Sequence, residues 1–342
     1  MQPRRRFRLL RYLALFGLGV AFVVSPAVAT SPTAQPERTS AVGSEAATRV
    51  GSKTSATAPG QGKKRRAKEK YLRLQRDKRG RPIAMEAAIV RFQPSKLGKR
   101  WPVVDLVGAV HVAEPSFFAR LNREFAGYDA VLYELLAPEG TRPRQGQKPR
   151  GGNPLSTLQT GLTRLLNLQF QLEGINYRRP NMVHADMSPE EFRKSMRDRG
   201  ETVWSMFLRM LGYAMMQQAK DPSGKSDVDL LMAFFDKNRA LALKRAMAKQ
   251  FEDLGGVMIV LDGPDGSTLI SERNKKALSV LRRELNSGKR KIAIFYGAGH
   301  MPDMAKRLQK DFSLKPTGTR WLVAWDMADA KSEKASKSSG EP

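Results

Sequence analysis

The chain has 342 residues, enough for about two ordinary domains or one large α/β domain with extensions. Hydrophobic residues make up 41%, so a sizeable core can form and wholesale disorder is excluded. With 60 Lys and Arg against 33 Asp and Glu the formal charge is +27, and the lack of cysteine excludes disulfides, thiol nucleophiles and Cys-bound zinc or iron–sulfur clusters.

Residues 1–29 read as an export signal. Arg4, Arg5, Arg6, Arg8 and Arg11 precede an apolar stretch from Tyr12 to Val24, and Ala27-Val28-Ala29 is a small-residue cleavage site. The stretch is short for a span of about 20 residues. A cleaved signal and a periplasmic or extracellular location are expected, with membrane association only if the signal stays uncut. Residues 30–69 are Ser, Thr, Ala, Pro and Gly with almost no large apolar side chains, the composition of a disordered linker. The linker ends in Lys63-Lys64-Arg65-Arg66-Ala67-Lys68, either a solvated run or a contact for an anionic envelope surface. Residues 331–342 form a similar tail.

Residues 1–80 hold 18 basic and 4 acidic side chains, whereas 81–330 hold 39 and 27. More than half of the excess charge thus lies outside residues 81–330, the bulk of the expected folded body (residues 70–330). No aromatic–basic interleaving marks a base-stacking surface there, so no specific nucleic-acid partner is expected.

Along the body, Met85–Phe92 and Val103–Val107 read as neighbouring strands, followed by a helix that starts at Pro115 and carries Phe117, Phe118, Leu121 and Phe125 at helical spacing. Ala130–Leu135 is a short buried strand, residues 137–154 are a long Pro/Gly/Arg loop that reads as a disordered insertion or as a mobile lid guiding an anionic substrate, and a helix is expected over 156–172. A brief strand at 182–186 precedes a strong helix start at Ser188-Pro189-Glu190-Glu191. Helices at about 201–219, 227–253 and 267–286 come next, then a strand at 291–296, a helix at 302–312 and a strand at 321–325. The helix bearing Trp204, Met206, Phe207, Met210, Leu211, Met215 and Met216 reads as buried core or as a Met-lined groove. Strands interleaved with helices predict an α/β fold with a central mixed sheet, flanking helices and a helical insertion at about 188–287 covering one side of the site.

Two of the three histidines recur in one pattern. His111 closes Gly108-Ala109-Val110-His111 and His300 closes Gly297-Ala298-Gly299-His300, each just past a predicted buried strand. In α/β sheets that edge is where ligands bind. Glu134 ends the strand between them in sequence, and a carboxylate in an apolar run needs a cation or a counterion such as Arg273. Two imidazoles and a carboxylate with an open position suit Zn, Mn, Co or Fe, with Glu134 a ligand or the general base. His184, before Ala185-Asp186, is a candidate third ligand or a packed histidine at a strand end. Asp303 is placed to fix the His300 tautomer or to cap its helix.

The series Gly108-x-x-His111, Tyr133-Glu134-Leu135, Glu272-Arg273-Asn274 and Gly297-Ala298-Gly299-His300 resembles the TraB/PrgY/GumN group, which includes the TIKI proteases. Ser116, five residues after His111, also fits the group's pattern. The resemblance implies an α/β fold related to erythromycin esterase and ChaN-like proteins. It implies a divalent-metal site at His111, Glu134 and His300, with Arg273 catalytic or substrate-binding and Asn274 beside it. The expected function is an exported metal-dependent hydrolase of peptide or ester bonds, acting on a peptide or small-molecule substrate. The alternative is a non-catalytic envelope protein that captures a peptide signal, an iron compound or an anionic polymer.

Overall fold

The structure, a computed structural model, describes residues 71–95, 102–146, 161–220, 232–251 and 261–329, apart from positions 162, 164, 234 and 264. The expected signal, linker and C-terminal tail, and residues 147–154 of the long loop, lie outside the described residues.

Four parallel strands carry the functional edge. They are β3 (Val103–Ala109), β5 (Ala130–Tyr133), β7 (Met182–His184) and β8 (Lys291–Gly297), side by side in the order β3-β8-β5-β7. An antiparallel half completes the sheet. Strand β2 (Pro82–Pro94) pairs along one edge with β1 (Leu72–Arg76) and then with β3, and along the other with β9 (Leu314–Asp326). The strands β4 (Val112–Ala113) and β6 (Gln169–Phe170) form a separate two-stranded ladder. The central sheet is therefore mixed, within an α/β fold.

The parallel strands are buried on both faces, which explains why they read as unbroken apolar runs. On one face, Val131, Ala293 and Phe295 pack with Phe117, Phe118, Leu121 and Phe125 of α1 (Pro115–Phe125). On the other, Leu106, Leu132 and Ile294 pack with Ala277 and Leu281 of α6 (Arg273–Asn286), and with Met304 and Leu308 of α7 (Met301–Asp311).

Between β7 and β8 the described elements are helical: α3 (Pro189–Asp198), α4 (Val203–Lys220), α5 (Arg239–Phe251), a π-helical turn (Thr268–Glu272) and α6. They do not act as one cover. Leu243 and Ala246 of α5 join the core on the α1 face, and α6 lies on the opposite face. The helix start expected at Ser188 is present at α3, where Ser188 and Glu191 also form a capping box. Among the described residues no helix is long and apolar enough to cross a membrane.

Several local expectations are corrected. The helix expected over 156–172 gives way at Gln169 to β6, because pairing with β4 outweighs local helical spacing, and a four-residue helix α2 (Gln171–Gly174) follows. Strand β9 extends well beyond 321–325 because it runs along the length of β2. Helix α4 is buried only in part: Met206 and Tyr213 face inward, whereas Trp204 is 65% exposed and Met215 61%.

Within the sheet, Arg91 and Asp105 stand opposite each other on β2 and β3. Asp105 is fully buried and accepts from Arg91 Nε (3.0 Å), Arg91 Nη2 (2.9 Å) and the Tyr128 hydroxyl (2.6 Å). Arg91 can turn to water, but the Tyr128 hydroxyl is left without this acceptor in Asp105→Ala. That substitution is expected to cost about 1–3 kcal/mol, measured as a lowered midpoint of urea unfolding.

Candidate functional site

Each parallel strand delivers one polar side chain just past its C-terminal end. His111 follows β3, Glu134 follows β5, Asp186 follows β7 and His300 follows β8. Backbone bonds set the turns: Ala298 N–H donates to Ala109 O (3.1 Å), and His300 N–H to Gly297 O (2.9 Å). Gly297 is the hub. A methyl group placed on it would lie 3.3 Å from Glu134 Oε2, 3.7 Å from His300 Cδ2 and 3.9 Å from His111 Nε2. Both imidazoles and the carboxylate thus converge where this residue has no side chain, and its N–H donates to Glu134 Oε2 at 2.7 Å.

Arg273 enters from the first residue of α6, directly after the π-helical turn. It is 1% exposed and grips Asp186 with two bonds, Nε to Oδ1 at 2.9 Å and Nη2 to Oδ2 at 2.6 Å. The same Nη2 donates to Glu134 Oε1 at 2.8 Å. One guanidinium therefore serves two buried carboxylates, a fork geometry that lysine cannot reproduce. Among the described residues, its buried Nη1 has no hydrogen-bond partner.

Asn274, the next residue, locks His300. Its Nδ2 donates to His300 O (3.1 Å) and Asp303 Oδ2 (2.9 Å), which turns its Oδ1 to accept from His300 Nδ1 (2.8 Å). The proton of His300 is thereby assigned to Nδ1. The bare Nε2 lies 3.5 Å from Glu134 Oε1. Asp303 acts on His300 only through Asn274, and is itself held by Arg307 Nε at 2.6 Å.

The electrostatics follow from burial and from the ion pairs. Burial pushes both His111 and His300 down. Glu134 opposes that shift and Arg273 reinforces it, so both imidazoles are neutral at pH 7. Burial alone would raise Glu134, but Arg273, helped by the two histidines and the Gly297 amide, holds its carboxyl down at about 2. Burial disfavours the Arg273 charge, but Asp186 and Glu134 outweigh it and raise the guanidinium further.

His111, Glu134, Arg273, Asn274 and His300 are thus brought together. His184 is engaged elsewhere: its Nε2 lies 2.6 Å from Leu135 O, and its ring is 5.6 Å from that of Tyr133. Ser116 is exposed near the start of α1. Sequence reasoning overlooked Asp186, which accepts both bonds from the fork of Arg273. Its signal was available, since it stands two residues past a strand end at the same sheet edge.

Two imidazole nitrogens and a carboxylate are donor types that a borderline divalent metal accepts. A bare Nε2 facing a carboxylate oxygen sets two electron pairs against each other, which a cation between them relieves. Among the described residues, no three His, Asp or Glu side chains stand as a group that could hold a metal ion. Comparison of the chain with models of known families, with curated proteins and with solved structures finds no match.

Proposed function

We propose that this chain is an exported metal-dependent hydrolase of the TraB/GumN type, acting on peptide or ester bonds. The observation that carries the reading is the His300 tautomer, which directs a bare Nε2 at an ionised Glu134 beside the Nε2 of His111. His111, His300 and Glu134 would hold a divalent ion, of the Mn, Co, Zn or Fe class. When bound, the metal supplies Lewis-acid polarisation of the scissile carbonyl.

A carboxyl held near 2 is a weak base at neutral pH. Glu134 is therefore assigned to holding the cation and orienting water, and the imidazoles, whose Nε2 lone pairs would go to the cation, are assigned as ligands and not as bases. Arg273 fixes the Glu134 charge, and its buried Nη1, without a hydrogen-bond partner among the described residues, would donate to a substrate carbonyl or carboxylate that enters the closed site. Asn274 orients His300 and lies one residue from the substrate-binding arginine.

The test is metal analysis of the purified full chain, together with turnover of a mixed peptide and ester library after metal loading. Wild type is expected to carry a stoichiometric divalent ion and to turn over substrate, and the His111→Ala, His300→Ala double variant to do neither. Equally negligible metal in both would overturn the metal site. Peptide retained without turnover, and still retained by the double variant, would favour an envelope binding protein instead.

A further inference from the structure

His300 has a carboxamide partner in Asn274, and His111 has a second carboxamide beside it. The ladder between β4 and β6 pairs Val112 with Phe170 and Ala113 with Gln169. One rung further along, Gln171 faces His111, and the Gln171 N–H donates to His111 O at 2.8 Å. The Gln171 side chain is 5% exposed and its Nε2 donates to the Tyr177 hydroxyl at 3.0 Å, which turns Oε1 away from that tyrosine. Tyr177 is itself fully buried and packed edge-on against Tyr133, so this anchor does not move freely.

Among the described residues, Gln171 Oε1 is buried with no hydrogen-bond partner. A buried acceptor left in that state is costly, so its retention calls for a donor. The donor at hand is the His111 imidazole. Nε2 is the His111 nitrogen that approaches Gly297, so the ring nitrogen to be assigned to Gln171 is Nδ1.

We infer that Gln171 is the positioning residue of His111: its Oε1 accepts the Nδ1 proton and thereby holds the His111 Nε2 lone pair toward Glu134 and Gly297. The inference deepens the proposed metal site, on which its functional consequence rests. Each imidazole then leans on its own side-chain amide, Asn274 for His300 and Gln171 for His111. Amides suit this task because they accept a hydrogen bond without bringing a further negative charge beside Glu134 and Asp186.

The test uses the full-length, metal-free protein labelled with 15N at its histidine rings, whose chemical shifts distinguish the two tautomers. With three histidines in the chain, His111→Ala identifies the relevant signals. Wild type is expected to carry the His111 proton on Nδ1. Gln171→Leu is expected to show a mixture containing Nε2–H, and Gln171→Glu to restore Nδ1–H. With Zn2+ alone as the probe, Gln171→Leu is expected to bind about 10–100-fold more weakly than wild type. An Nε2–H signal in wild type, or an unchanged tautomer in Gln171→Leu, would overturn the inference. Lower thermal stability in Gln171→Leu with the wild-type tautomer is the mark of a packing role, and overturns it equally. Should Gln171→Leu fail to fold, Gln171→Met serves as the non-accepting variant. A wild type that shows Nδ1–H but takes up no Zn2+ would sink the metal reading and leave the assignment of Gln171 standing.

Discussion

Replacing Arg273 with methionine is expected to cost about 3–5 kcal/mol of folding stability at pH 7, the largest loss for any single side chain described above. The side chain is 1% exposed and is the shared counterion of Asp186 and Glu134. Methionine fills a similar volume but leaves both carboxylates buried beside an apolar group. Urea unfolding measures the loss directly. Its pH dependence has a sign that separates this mechanism from simple mispacking. In wild type Glu134 is held below its unfolded value, so its contribution is present above about pH 4.5 and fades as pH falls toward about 2. Without the guanidinium, burial pushes Glu134 upward instead. The folded variant then binds more protons than the unfolded chain, and its deficit against wild type grows as pH rises from about 5 to 8. A deficit that is constant across that range would mean that packing, not charge, accounts for the role of Arg273. Replacing the three residues together, as Arg273→Met with Asp186→Leu and Glu134→Leu, is expected to recover most of the stability, because no buried charge then lacks a partner.

Glu134→Gln is expected to act on both function and stability. The amide keeps the size of the carboxylate, but its single carbonyl can accept from Gly297 N–H or from Arg273 Nη2 and not from both, while Arg273 keeps both bonds to Asp186. A stability loss of about 1.5–3 kcal/mol is therefore expected, smaller than that of Arg273→Met because Asp186 still partners the guanidinium. What disappears is the negative charge beside the two imidazole nitrogens. Divalent-metal affinity is expected to fall by at least about 100-fold, since disturbing even an outer-shell partner costs about 10–100-fold. Parallel metal titrations and unfolding curves on the same preparation check both halves. Near wild-type metal binding with a large stability loss would assign Glu134 a structural role only.

The parts of this molecule that were readable from sequence are those whose neighbours are all apolar. Strands β3, β5 and β8 sit between two layers of helices, and their burial writes itself as runs of Val, Ile, Leu and Phe. His111 and His300 were readable because a glycine and an imidazole just past such a run have few other reasons to stand together. Strand β1 was not anticipated, since Leu72–Arg76 alternates partly buried and exposed residues at the margin of the sheet. Strand β6 was misread as helix because two residues hold too little pattern to outvote their surroundings, and only the pairing with β4 makes them a strand. Gln171 was invisible for the same reason: its proximity to His111 arises from that ladder and not from any spacing along the chain. At His184-Ala185-Asp186 attention went to the rarer residue type, whereas the aspartate is the one that Arg273 holds.

The placement of β8 has a consequence in time. It is the last of the parallel strands to be synthesised, yet it lies between β3 and β5 and carries Gly297 and His300. A growing chain that has reached residue 290 has His111 and Glu134 on two strands with no partner between them, and the hub on which they meet does not yet exist. A chain cut short before β8 therefore never brings these side chains together, whatever else it folds. Strand order withholds the convergence of His111, Glu134 and His300 until nearly the whole polypeptide has been made.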